Sequence, residues 1–90
     1  MVNEALSRLT EGRIVHYVLS NGEHRAAIVV RVFESGKPQG LANLIVFSDG
    51  SNDARVVSGN ASSQGLFWAT SAHYDPAGTE HHTWHWIEKA

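Results

Sequence analysis

Apolar and polar residues along this chain recur with a period of two, interrupted by short clusters rich in Gly, Asn, Asp and Ser. Side chains alternate across a strand, so each such run reads as a β-strand with one face turned toward a core. Arg13 to Ser20 alternates, Asn21-Gly22 follows, and His24 to Phe33 alternates again. Asn-Gly between two alternating runs is a strong signal for a two-residue β-hairpin turn. With that turn Ser20 faces Glu23, and the pairing runs on as Leu19 with His24, Val18 with Arg25, Tyr17 with Ala26, His16 with Ala27 and Val15 with Ile28. Val15, Tyr17 and Leu19 then share an apolar face with Ala26, Ile28, Val30 and Val32, whereas a one-residue slip moves one strand's set to the other side. The opposite face carries Ile14, His16, Val18, Arg25, Ala27, Val29 and Arg31 and is mixed.

Upstream, Asn3 is placed to cap a short helix over Glu4 to Thr10, with Ala5, Leu6 and Leu9 as its apolar stripe and Gly12 at the stop. Downstream, Glu34 to Gly40 reads as a loop, and Leu41 to Phe47 as a strand whose near-continuous apolar run predicts burial on both faces. Ser48 to Asp53 is a turn, Arg55 to Val57 at most a short strand, and Ser58 to Gly65 a loop. Leu66 to Tyr74 is strand-like. Asp75-Pro76-Ala77-Gly78 has the residues a type I turn favours. The closing segment, His81 to Glu88, reads as a strand that sends His81, Thr83 and His85 one way and His82, Trp84 and Trp86 the other. Five to six short strands and one short N-terminal helix predict a mainly β fold, either a small SH3-like barrel or a rolled antiparallel sheet.

Length makes this a single domain over residues 1–90, with one thin core. Symmetric association into a homo-oligomer is expected, because the strand at Leu41 to Phe47 offers more apolar surface than a short helix can cover. With no cysteine there are no disulfides or thiolate sites, which is compatible with a cytoplasmic location. Seven Lys and Arg against nine Asp and Glu leave no basic field for broad nucleic-acid binding. No apolar run reaches membrane-spanning length, and no secretion signal opens the chain.

Six histidines raise the question of a metal. On one strand His81 and His85 would stand ~13 Å apart at ~3.3 Å per residue, too far to share an ion. A site would need His16, His24 or His73 brought in from other strands, and the expectation is no metal and no cofactor, with surface or hydrogen-bonded histidines instead. His73-Tyr74-Asp75 and His85 could supply acid–base groups, but no nucleophile elbow, paired carboxylates or phosphate-cradling loop accompanies them, so no catalytic residues are expected. Trp68, Trp84 and Trp86 read first as core aromatics. The alternative is a stacking platform for a planar ligand, with Arg25 or Arg31 neutralising its phosphate. The candidate ligand-binding set is His16, Arg25, Arg31, Thr83, Trp84, His85 and Trp86; the loops from Ser48 to Gly65 are the other possible location.

Val15-His16-Tyr17-Val18, Arg25-Ala26-Ala27-Ile28-Val29, Gly65-Leu66-Phe67 and Thr83-Trp84-His85-Trp86 together resemble a group of small, mostly uncharacterised phage and prophage proteins over about Val15 to Glu88. In that pattern a cysteine often precedes the arginine and a proline follows the last tryptophan; here His24 and Ile87 stand there. The resemblance implies a phage-type accessory protein. Gly12 through Val32 also looks like the opening hairpin of SH3-like barrels. The expected role is non-enzymatic: binding and sequestration of a small host molecule, such as a nucleotide-derived defence signal, or of a protein partner. A structural virion component, as in capsid decoration or head–tail joining, is the alternative. A metal-dependent enzyme is the third reading.

Overall fold

The computed structural model describes residues 4–33, 40–53 and 65–87. Five strands, β1 (Ile14–Val18), β2 (His24–Val32), β3 (Ala42–Phe47), β4 (Leu66–Tyr74) and β5 (Thr83–His85), follow one another around a closed barrel. Neighbours are antiparallel except β4 and β5, which run parallel. Three-residue β5 closes the ring, pairing His16 with His85 and Tyr17 with Trp84 on one side, and His73 with Thr83 and Tyr74 with Trp84 on the other. Closure removes free sheet edges, so a domain this small satisfies its backbone polar groups without an extra layer.

The first hairpin lies where the Asn-Gly signal places it, but one residue out of the expected register. Val18 pairs with His24, Tyr17 with Arg25, His16 with Ala26 and Val15 with Ala27. The Leu19 N–H bonds Glu23 O at 2.8 Å and the Gly22 N–H bonds Leu19 O at 2.9 Å, so the loop has three residues, Ser20-Asn21-Gly22. Only Gly22 of these has positive φ, at 86°. This is a type I turn completed by a left-handed glycine, and the Asn21 side chain accepts the Glu23 N–H at 3.0 Å. The slip puts Ala27 and Val29 inside and leaves Ala26 and Val30 exposed, with Ile28 half-buried on the outer face. Ala26 to Val30 is apolar throughout, so alternation in β2 could not choose between the registers.

The interior combines large and small side chains: Tyr17, Phe67, Leu44 and Trp84 fit because Ala27, Ala42, Ala69 and Ala72 leave room beside them. Leu6 and Leu9 join the same core. The expected helix over Glu4 to Thr10 is not established; the segment shows no more than one four-residue turn, Glu4–Ser7. β3 is not buried on both faces. Ala42, Leu44 and Val46 point in, Asn43 and Ile45 are half-buried, and Phe47 is exposed.

Two bulges keep the inward set in phase. Register shifts between Val29 and Arg31 in β2, which leaves Val30 outside. In β4 the inward residues step from Ala69 to Ala72, and Ser71 takes a φ of 52°, its N–H caught by Asn43 Oδ1 at 2.8 Å. The turn after β4 is as expected: the Gly78 N–H bonds Asp75 O, while the Asp75 carboxylate accepts the N–H groups of Ala77, Thr79 and Glu80. The possible strand at Arg55 to Val57 and most of the Ser58 to Gly65 loop lie outside the described residues. Among the described residues no helix is long and apolar enough to cross a membrane.

Candidate functional site

The corrected register puts three imidazoles on one patch of the outer wall. His16 in β1 and His85 in β5 are direct cross-strand partners, and His24 in β2 lies two residues along from Ala26, the β2 partner of His16. All three side chains leave the barrel on the same face, and cross-strand and diagonal neighbours on one face are within reach of aromatic rings. Ring centroids stand 5.8 Å apart for His16 and His85, 6.1 Å for His16 and His24, and 4.6 Å for His24 and His85. One ring nitrogen from each falls within 4.8 Å of the other two.

The turn after β4 folds over this patch. Outward-pointing His85 is therefore only 3% exposed, against the open polar face expected for it. Gly78 packs directly on the cluster: a Cβ there would stand 3.0 Å from Cε1 and 3.2 Å from Nδ1 of His85. Its carbonyl oxygen lies 3.2 Å from His24 Nε2. Asp75, which builds the turn, has its carboxyl held below the ordinary aspartate range, chiefly by the Glu80 N–H and then by those of Thr79 and Ala77.

Only His16 and His85 of the expected set meet here. Arg25 points the other way and is clamped by Asp53, Nε to Oδ2 at 2.7 Å and Nη2 to Oδ1 at 2.9 Å. Asp53 ends a short 3-10 turn, Gly50–Asp53, is 3% exposed, and also accepts the Asp49 N–H. The bonds from Arg25, then that from Asp49, hold the Asp53 carboxyl below its usual range against opposing desolvation, and the same pairing raises the Arg25 guanidinium. Arg31 is exposed farther along β2, its guanidinium 4.9 Å from the Phe33 ring centroid. Trp84 is fully buried, its indole N–H donating to Gly40 O at 2.7 Å, so it offers no stacking face. Trp86 packs edge-on to Trp84 under Arg8, and the Thr83 hydroxyl donates to Glu80 O. Trp68 is the exception among the expected core aromatics, at 38% exposed on the outer wall.

His24, named with His16 and His73 as a residue a metal site would need, is the one that the candidate ligand-binding set left out. A two-residue turn assigns it to the apolar face with Leu19; the three-residue turn returns it to the face of His16. Its signal was present in the chain, since His16, His24 and His85 share a face once β1 is paired with both neighbours in this register. A second polar feature, an open depression of about 620 Å³ lined by His73, Thr79, Glu80, His81, His82 and Thr83, lies beside the same turn. Comparison with protein-family models, with curated proteins and with solved structures finds no match to this chain.

Proposed function

We propose that this protein is a non-enzymatic, phage-type accessory domain that binds and sequesters a small ligand on the outer wall formed by β5, β1 and β2. The observation that carries the reading is the convergence of three imidazoles from three different strands beneath one folded turn. Histidines scattered over a solvated surface have no reason to meet in this way. The polar chemistry of the wall is assembled by barrel closure, on rigid strands, which is where a pre-organised site belongs. A nucleotide is not the ligand this geometry favours, because Arg25 is engaged by Asp53 and Trp84 is core. Native mass spectrometry of freshly purified protein tests the reading. A retained ligand that disappears in His16→Gln and His85→Gln supports it; a bare chain that no ligand stabilises against heat rejects it.

A second reading, as a structural component that meets another protein or its own copy, has an observation of its own. Ile14 pairs with Ile28, Ile28 with Ile45 and Ile45 with Trp68, an apolar row across the outer faces of four strands, flanked by exposed Phe47 and Leu66. Light scattering at tens of micromolar separates the two. A stable oligomer that Trp68→Glu dissolves favours the structural role through self-association, and a monomer removes that form of it.

A further inference from the structure

We infer that His16, His24 and His85 bind a divalent transition-metal ion, zinc being the first candidate, with a fourth position left for water or a ligand atom. The inference deepens the binding reading above and rests on the same cluster. Neutral imidazole is the commonest protein ligand for such ions, and an all-imidazole set selects zinc, nickel, cobalt or copper over magnesium or calcium, which require oxygen. Around a tetrahedral ion with ~2.0–2.1 Å bonds, ligand nitrogens stand ~3.3 Å from one another. The three nitrogens here lie within 4.8 Å, so modest rotation of the rings toward a common centre closes the remaining gap.

Two further features fit coordination better than mere proximity. His16 and His85 sit on directly paired positions of a closed barrel, which fixes their backbones relative to each other. His24 Nε2 stands 3.2 Å from Gly78 O, the kind of outer hydrogen bond that orients a ligating imidazole; in that tautomer the lone pair rests on Nδ1. Gly78 also leaves the space against His85 that any larger residue would take. Bound to three neutral ligands, the ion would keep its full double charge and draw an anionic or strongly polar group to its open position.

The test uses the tag-free full-length chain, stripped with chelator and titrated with zinc chloride or cobalt chloride. Zinc is expected to raise the melting temperature where magnesium does not, and cobalt to give a visible d–d absorption of tetrahedral type. His16→Gln and His24→Gln are expected to keep the wild-type circular dichroism and to bind zinc at least about a hundredfold more weakly. His73→Gln, outside the cluster, should bind as wild type. No zinc-dependent shift in the wild type overturns the inference, as does a shift that survives in both variants, since the imidazoles would then only hydrogen-bond one another. If native mass spectrometry finds a non-metal ligand lost in the same variants, the metal falls and the binding reading stands. If it finds neither metal nor ligand and no ligand, zinc included, stabilises the chain against heat, both fall.

Discussion

His24 and Arg25 are consecutive residues of β2 with opposite surroundings, and the difference shows how the barrel separates stability from chemistry. Arg25 turns to the side of the interior residues and meets a carboxylate that answers its guanidinium bond for bond, Nε and Nη2 on the two oxygens of Asp53. The donors and acceptors of that pair match, and the clamp ties the turn after β3 to β2. His24 turns outward to two other imidazoles, those of His16 and His85. A cluster of three like groups that can each offer a lone pair is poor cement, but it is a good receptor for a cation. The strand's period of two makes neighbouring residues serve two different ends.

The largest expected effect comes from breaking the Arg25 side of this contrast. Asp53→Ala removes a nearly buried, doubly hydrogen-bonded charge and the acceptor of the Asp49 N–H; it should cost about 3 kcal/mol in urea denaturation while leaving zinc binding by the folded fraction unchanged. If it abolishes metal binding without unfolding the chain, the two clusters are not independent. Next is the turn that sets which residue faces which way. Gly22→Val puts a β-branched side chain at a φ of 86° and should cost about 2 kcal/mol, whereas Gly22→Asn, which tolerates that region, should retain most of the stability.

Acid sharpens the comparison further. Asp53 has a folded pKa below its unfolded one, so its contribution is complete above the ordinary aspartate range near pH 4 and is lost as pH falls through the lowered folded value. Asp75 is shifted in the same direction. Wild type should therefore lose stability below about pH 4, and Asp53→Asn should show a shallower acid limb of the stability curve, measured by thermal melts. The smallest expected effect is that of His24→Gln on the metal-free protein, below about 1 kcal/mol, because it leaves the core untouched. A large loss there would mean that the imidazoles themselves hold the wall together.

Much of the architecture was legible along the chain. β4 occupies Leu66–Tyr74 as its period indicates, the turn at Asp75 to Gly78 follows from its residues, and Trp84 lies inside with His85 opposite. The errors at the first hairpin share one origin. In β2 the run from Ala26 to Val30 is apolar on both faces, so a turn of two residues and a turn of three were equally consistent with a buried face. Choosing the first turned His24 inward and Arg25 outward, which hid the imidazole cluster and suggested a phosphate contact that Asp53 pre-empts. Trp68 was misplaced for a related reason, because the barrel interior was already filled by Tyr17, Phe67 and Trp84.

The sequence by itself determined that the chain is mainly β, where most strands begin and end, and which segments turn. These follow from the period of two and from the backbone preferences of Gly, Asn, Asp and Pro, all of which act within a few residues. Only the tertiary structure decided the hairpin register, the closure of β5 against both β1 and β4, and the meeting of His16, His24 and His85. Those depend on which side chains fit a narrow closed interior, a question of shared volume among residues up to about seventy positions apart. No local pattern carries that information.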